Sequence, residues 1–211
     1  MFLAMSCNYC LYIRQTYLPP LKFSSKDSIY VSTKLIMIIE IIRETERDDE
    51  WLNRFCKDVS SGKVLYYCEV STSEDSKLLV HRDSKSGPII AQINPCLATP
   101  GLTDIQFSDP LYTLELEHID HPDYTSLTRF SYNGKNYHWK GHAELVEEET
   151  GEKIAQFYES WLVVDVKEHK LGKLVMNDDA AELLDVVVIT AFAIQERSDE
   201  ARKAVDSVMP N

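Results

Sequence analysis

The segment LLDVVVITAFAI, residues 183–194, decides the fold, because ten of its twelve side chains are apolar and only Asp185 and Thr190 are polar. On a helical wheel the apolar positions cover every face, and a helix that is apolar on every face must be buried on every face. Twelve helical residues span about 18 Å, which is the height of a small β-barrel. The segment therefore predicts a helix that the rest of the protein encloses.

The residues before this segment support a helix that begins near residue 178. Asn177, Asp178 and Asp179 suit a helix N-terminus, and Asp179 and Glu182 have the spacing of a capping box. The β-branched run at residues 186–189 suits a buried strand instead, and the helix is preferred for the segment as a whole. The single carboxylate of the segment must find a hydrogen-bond donor or emerge at the mouth of the barrel.

The region from residue 64 onward has the pattern of short antiparallel strands. The runs VLYYCEVS, KLLVHRD, PIIAQINP, TDIQF and LYTLELEHI are rich in branched and aromatic residues and are separated by turn-forming residues. In LYTLELEHI one face carries Leu111, Thr113, Glu115 and Glu117, and the other carries Tyr112, Leu114, Leu116 and His118. Asn133-Gly134 suits a type I′ turn, and further turns are predicted at residues 149–151 and 169–172. These features predict a meandering sheet, closed into a barrel or stacked as a sandwich, and the enclosed helix favours the barrel.

Residues 34–58 are predicted as a helix inserted into this β-protein. The run KLIMIIEIIRETERDDEWLNRF has apolar residues first and charged residues later, with no glycine or proline to interrupt it. The fold class expected is therefore mostly β (α+β): an antiparallel β-barrel closed around a buried hydrophobic C-terminal helix, with a helical insertion near residues 34–58. A single domain is expected over residues 18–206, including an atypical insertion at about 34–62, after a poorly ordered extension at residues 1–17.

The charge balance excludes one large class of partners. The chain has 22 Lys and Arg residues against 34 Asp and Glu residues, a net charge of −12, which argues against binding to nucleic-acid phosphates.

The first apolar run lacks the basic residues and the cleavage site of a signal peptide, and no apolar run is long enough to span a bilayer. The five cysteines are an odd number scattered over the chain, as in reduced intracellular proteins. We therefore expect a cytoplasmic protein without a transmembrane segment.

Several short motifs resemble a family of fungal domains of unknown function. In chain order they are Tyr137-x-Trp139-Lys140, Ala155-x-Phe157, Gly172-x-Leu174 and Leu184-Asp185-x-x-x-x-Thr190-Ala191, and LKFSSKDSIYVST near the start is similar to the family's first strand. The fold of that family is similar to the tubby C-terminal, scramblase and LURP-one-related barrels, in which a twelve-stranded barrel encloses a hydrophobic C-terminal helix. Residues 34–62 depart from the pattern, either as a helical insertion or as a wrongly joined exon. The family has no assigned catalytic residues, so the resemblance implies none here.

The sequence contains no signature of a common enzyme class, since the strings GxSxG, GxxxxGK[ST], GxGxxG and HExxH are absent. Two groups have metal-ligand spacing, namely Cys7 with Cys10, and His118 with Asp120, His121 and Asp123, but a lone cysteine pair and a polar loop before a proline account for them. His138 and His142 share one strand face and are expected to be solvated. Trp139, Phe157, Tyr158 and Trp161 suit a ligand pocket or, more commonly, the core. We therefore predict no catalytic residue, no metal and no cofactor.

Binding is the class of function that these observations favour. The leading hypothesis is a non-enzymatic binding or scaffolding domain with an unknown partner. Tubby-like relatives bind phosphoinositides through a basic pocket, so the resemblance implies a peripheral lipid-binding module as the alternative, and an unrecognised enzyme is the third. The candidate binding residues are Lys77, Arg82 and Lys85 near one pair of strands and Lys135 and Lys140 on another hairpin. In an acidic protein the same residues can instead serve solubility.

Overall fold

The computed structural model describes residues 36–44, 53–71, 77–95, 101–119, 126–141, 143–160 and 168–208, except for the side chains of 168, 169, 178, 179 and 198–208. All of these residues belong to one compact unit, residues 34–211. The extension predicted at residues 1–17 lies outside them, and the domain boundaries stay a prediction. Within the described part of the chain, no helix combines the length and apolar character needed to cross a membrane.

Twelve strands form a closed barrel in which every hydrogen-bonded pair of neighbours is antiparallel, as the sequence predicts. The strands follow one another around the wall in chain order, and β1 closes the barrel by pairing with both β2 and β12. Their bounds are β1 Ile36–Glu44, β2 Arg54–Asp58, β3 Val64–Val70, β4 Leu78–Arg82, β5 Ile89–Pro95, β6 Leu102–Ser108, β7 Leu111–Ile119, β8 Leu127–Tyr132, β9 Lys135–Lys140, β10 Glu144–Glu147, β11 Lys153–Glu159 and β12 Glu168–Asn177.

The predicted enclosed helix is confirmed, and the alternative of a buried strand at residues 186–189 is wrong. A 3-10 helix at Asp178–Leu183 leads into α1, Leu184–Val208. The α-helix therefore begins later than predicted, and the side chain of Asn177 donates to the Lys153 carbonyl oxygen (3.1 Å) instead of capping. The side chains of the other predicted capping residues, 178 and 179, lie outside the described set.

The inner faces of the strands and α1 form one continuous core. Every residue from 186 to 194 is buried, including the polar Thr190. The Thr190 hydroxyl accepts a hydrogen bond from Trp139 Nε1 (3.0 Å) and donates one to the Val187 carbonyl (3.1 Å). Because both polar groups are satisfied, this buried contact links the helix to the wall without an unpaired donor.

The helix predicted near residues 34–58 is wrong, because the described parts of this region are strands β1 and β2. Ile39 and Ile41 point into the barrel and are fully buried, whereas Glu40 between them bonds to Lys170 of β12 on the outer side. The isoleucines of this run are β-branched and fit a pleated surface better than a helix. The segment therefore supplies the closing strand of the barrel.

Two of the local predictions about turns and strand faces are confirmed, and a third is wrong. Asn133 and Gly134 form a tight turn with φ angles of 50° and 75°, and Leu114 and Leu116 are buried while the glutamates beside them are exposed. No turn occurs at residues 169–172, because β12 continues through them with a register shift against β1. Gly172 serves close packing there, since a Cβ atom at that position would collide with the ring of Phe157.

Candidate functional site

One end of the barrel is formed by tight connections that the structure describes. At this end, here called the turn end, tight connections at residues 59–63, 83–88, 109–110, 133–134 and 148–152 join successive strands. The helix α1 begins at this end, because the 3-10 helix that leads into it follows β12 directly and Asp185 contacts the last residue of β4. It runs toward the opposite end. Every tight connection of the turn end lies within the described residues.

A polar cluster fixes the start of α1 at the turn end. Arg82, the last residue of β4, donates two hydrogen bonds to the Asp185 carboxylate (2.8 and 2.7 Å), and the Tyr66 hydroxyl donates to the same carboxylate. Burial alone would raise the pKa of Asp185, but the hydrogen bonds from Arg82 and Tyr66 outweigh it and lower the pKa below its usual range. The prediction that this carboxylate finds a donor is confirmed.

A second ion pair holds the helix at the opposite end. Arg54, fully buried at the start of β2, donates to the Glu196 carboxylate of α1 at 2.6 Å. Asp185 and Glu196 are eleven residues apart, or about 17 Å along the helix. Charged pairs at both ends and the Thr190 contact between them therefore fix the position of α1 along the barrel.

The structure does not bring the five predicted binding residues together. Arg82, Lys85 and Lys135 lie at the turn end, whereas Lys77 and Lys140 lie toward the opposite end. The guanidinium of Arg82 is engaged by Asp185, and the Lys135 ammonium lies 3.0 Å from the buried Glu147 carboxylate, whose hydrogen bond raises the pKa of Lys135. Lys85 lies 3.8 Å from a Glu69 oxygen. Whether these residues bind a ligand stays a prediction.

Exposed apolar side chains occur at the turn end. The described part of the chain has six large hydrophobic residues that are exposed, and five of them lie on the strand ends and turns of this end of the barrel. They are Ile36, Ile38, Val59, Ile89 and Leu111; the sixth, Tyr158, lies on the wall near the opposite end of β11. Leu111 is 86% exposed.

Sequence reasoning missed these five residues, although one signal for them exists. Leu111 shares its strand face with Thr113, Glu115 and Glu117, and a large apolar residue on an otherwise polar face is unusual. Two lysines accompany the apolar side chains: Lys63 lies in the same turn as Val59, and Lys85 in the turn before β5. The part of the turn end from β1 to β7, here called the apolar half of the rim, therefore combines apolar and cationic side chains.

The outer wall carries a polar cleft of about 430 Å³ over β7, β8 and β9. Its floor and sides include Glu115, Glu117, Arg129, Asn136 and Glu148. Glu148 accepts from Arg129 Nε (3.0 Å) and lies 3.2 Å from His138 Nδ1, so His138 is paired and not simply solvated. Ser131, also in the cleft, donates to Asn136 (2.6 Å), and no serine–histidine hydrogen bond occurs among the cleft residues of the described wall.

The structure describes some of the predicted metal-ligand and aromatic residues, and the others lie outside the described residues. Both ring nitrogens of His118 are engaged by hydroxyls, Nε2 by Thr103 (3.0 Å) and Nδ1 by Thr128 (2.9 Å). Trp139 and Phe157 are core residues, and Tyr158 is exposed. Cys7, Cys10, Asp120, His121, Asp123, His142 and Trp161 lie outside the described residues. Within those that are described, no three potential ligands group as a metal site.

Comparison with known proteins gives one match. A family model described as "Family of unknown function (DUF6593)" matches residues 51–200, which include β2 to β12 and most of α1. No curated protein and no solved structure matches the chain. The strand that closes the barrel, β1, precedes the matched range.

Proposed function

The chain belongs to the family of unknown function DUF6593, and from this premise we propose that it is a non-enzymatic intracellular binding or scaffolding domain whose contact surface is the turn end of the barrel. The observation that carries the proposal is the group of five exposed apolar side chains at that end. Exposed hydrophobic groups cost solubility, so a group of them at one end of a molecule marks an interaction surface.

The state of the barrel interior supports binding on the outside. In small barrels the interior either holds a ligand or is filled by side chains. Here α1 fills it, with Phe192, Ile189 and Val188 fully buried between the strands. A partner therefore has the rims and the outer wall available to it, and among the described residues the turn end carries most of the exposed large apolar side chains.

Two further observations agree with an intracellular binding domain. Cys56 and Cys68 are free thiols buried in the core, as is common where the compartment is reducing. The barrel enclosing a C-terminal helix is also the architecture expected from the resemblance to tubby-like, scramblase and LURP-one-related domains, and that resemblance stays part of the proposal.

Site-specific photocrosslinking in cells tests the proposed contact surface. We expect a photoreactive phenylalanine analogue in place of Leu111 to give a discrete crosslinked species, because this side chain projects from the turn end. The same analogue in place of Tyr158 provides the matched control, since Tyr158 is 57% exposed but lies on the wall. A species that forms equally from position 158, or that survives Ile89→Ser, contradicts the proposed surface.

Binding to a lipid surface is the second candidate, and the pairing of lysines with apolar tips favours it. Lys63 forms a surface ion pair with Asp83 (2.9 Å), and such exposed pairs are weak enough to leave the lysine available. Basic residues near an anionic membrane each contribute to binding, and apolar tips can insert beside them. The apolar half of the rim carries both lysines and apolar side chains.

Vesicle flotation, which measures binding to lipid vesicles, tests this second candidate function. With vesicles of phosphatidylcholine and a phosphoinositide, Leu111→Ser is expected to weaken binding about tenfold, because one inserted leucine side chain is lost. Tyr158→Ser is expected to leave binding unchanged. Binding of the wild type should weaken as salt is raised. Absence of the wild type from the floating fraction at low salt would remove the lipid candidate and leave the protein partner.

A further inference from the structure

We infer that a seam in the barrel wall, where β7 and β8 separate, is a docking site for an extended basic peptide that adds to β7 as an extra strand. The site is formed by the main chain of β7 and by side chains of the outer wall, so it goes beyond the contact surface proposed at the turn end. A short strand pairing, a cleft and the charge around that cleft point to it.

The strand β7 is paired along most of its length on one side only. On that side β6 pairs with residues 111–117 of β7. On the other side β8 pairs with residues 117–119 alone, although β8 pairs with β9 along its entire length, residues 127–132. The two strands therefore separate on the turn-end side of the pair formed by Glu117 and Arg129.

Main-chain groups of β7 face this seam without a partner on β8. Neighbouring residues of an antiparallel strand direct their N–H and C=O groups alternately to the two adjacent strands. His118 N donates to the Gly101 carbonyl on the β6 side (2.7 Å), so the even-numbered residues of β7 bond toward β6 and the odd-numbered ones toward β8. Because pairing with β8 ends at Glu117, Glu115 and Thr113 present unpaired main-chain groups within the described wall. An unpaired strand edge is a template for a further strand.

The polar cleft of about 430 Å³ lies at this seam. Glu115 and Glu117 of β7 line one side of it, and Ser131 of β8 lines the other. Phe130 and Tyr137 also line the cleft, although both belong to the buried core. The cleft therefore reaches between the outer side chains of the two strands, and its volume is within the range of ligand pockets.

Two tyrosines cover the seam on its inner side. The ring centroids of Tyr112 of β7 and Tyr132 of β8 are 5.7 Å apart, and Tyr112 also stacks on Phe107 with 4.3 Å between centroids. The core thus stays covered where the main chains separate. A docking strand meets these rings on its inner face, so small side chains suit its inward positions.

The outer side chains around the seam favour a cationic partner. Glu115, Glu117 and Glu148 line the cleft together with one guanidinium, that of Arg129. Whichever carboxylate Arg129 neutralises, the cleft keeps a net charge of about −2 at neutral pH. Asp104 of β6 also stands directly opposite Glu115 in the sheet, and like charges in that position are destabilising. A lysine or arginine of the docking strand beside Glu115 relieves this repulsion.

These features define the docked peptide as a five-residue extended segment in which basic residues alternate with small ones. Successive side chains of a strand point to opposite faces, so the basic ones lie outward beside the glutamates and the small ones face the tyrosines. The part of β7 without a partner on β8, residues 111–115, matches five residues in length. Main-chain hydrogen bonds supply affinity in such strand addition, and alternate side chains supply specificity.

Fluorescence anisotropy with a fluorescein-labelled Lys-Ala-Lys-Ala-Lys peptide and the full-length chain tests the charge and the alternation. We expect saturable binding that the double variant Glu115→Gln/Glu117→Gln weakens about tenfold, because two ion pairs are lost. Glu152→Gln/Glu159→Gln is the matched control, since it removes two charges from exposed glutamates elsewhere. It should bind like the wild type. An equal loss in this control, or equal affinity for the shuffled peptide Ala-Ala-Lys-Lys-Lys, overturns the inference.

Thr113→Pro tests the role of the main chain. Proline has no N–H group, and the N–H of Thr113 faces the seam and not β6, so the pairing with β6 can persist. We expect this variant to bind the alternating peptide about tenfold more weakly, because it cannot donate to an added strand. Thr113→Ala should bind like the wild type. A folded Thr113→Pro protein that keeps the wild-type affinity contradicts strand addition.

Amide hydrogen exchange of the wild type, followed by NMR, reads the seam directly and needs no variant. In the free protein the amides of Glu115 and Thr113 should exchange rapidly, whereas those of Leu114 and Leu116, which bond to β6, should exchange slowly. Saturating alternating peptide should slow the first pair about tenfold or more and leave the second pair unchanged. Slow exchange of Glu115 and Thr113 in the free protein overturns the open seam. Peptide binding that does not slow them overturns strand addition, and neither result bears on the turn end.

Discussion

Replacing Ala191 by glutamate is expected to unfold the domain. Ala191 lies in the buried part of α1 and is 4% exposed. A carboxylate there would be enclosed by the apolar side chains that surround the helix, and burial of a charge without a partner is among the most destabilising changes known in proteins. We expect a loss of more than about 4 kcal/mol in the free energy of unfolding, which is enough to abolish a typical domain's stability. Circular dichroism during thermal unfolding measures it.

Ala143→Glu is the matched control for this substitution. Ala143 is exposed in the connection between β9 and β10 and contributes only backbone hydrogen bonds, such as that from Phe157 N to its carbonyl. This variant should unfold cooperatively near the wild-type temperature. An Ala191→Glu protein that is soluble and melts cooperatively would contradict the enclosed position of α1, because no such position tolerates a glutamate.

The enclosed helix could be predicted from sequence because its evidence is local. Ten apolar residues among twelve imply burial on every side whatever surrounds them. The alternation in β7 and the Asn133-Gly134 turn are equally local. The closing strand β1 could not be recognised in this way. Charged residues follow its apolar residues without a glycine or proline, and this pattern is also typical of a solvent-exposed helix. Its identity depends on pairing with β12, more than a hundred residues later in the chain.

The candidate site was less predictable, because residues far apart in the chain build it. The sequence around Arg82 suggests an ordinary surface cation. In the fold, however, Arg82 donates hydrogen bonds to Asp185, which lies 103 residues later in the chain. The turn end emerges only when five connections from the whole chain meet at one end of the barrel. Leu111 is the exception, since its polar neighbours on β7 already mark it as an exposed leucine.

The hydrogen bonds at the start of α1 predict a stability that depends on pH. Asp185→Asn removes the charge that Arg82 binds and weakens the acceptor of the buried Tyr66 hydroxyl. Hydrogen bonds to charged groups contribute roughly 1.5–3 kcal/mol each, but Arg82 and Asp185 are 37% and 40% exposed, and solvent screens the pair. We therefore expect a loss of about 2 kcal/mol at pH 7, measured by urea unfolding.

The lowered pKa of Asp185 fixes the sign of this pH dependence. The unfolded carboxyl titrates near pH 4, so the stabilisation is fully present above about that pH and is lost as the pH falls through the lower value of the folded state. The wild type and Asp185→Asn should therefore differ at pH 7 and begin to converge as the pH falls below about 4. Asp83→Asn is the control, since Asp83 has a positive φ of 64° that asparagine also adopts, and its ion pair with Lys63 is exposed. It should change stability by less than about 0.5 kcal/mol at pH 7. A difference between wild type and Asp185→Asn that persists undiminished at pH 3 would show that the charge of Asp185 does not hold the helix.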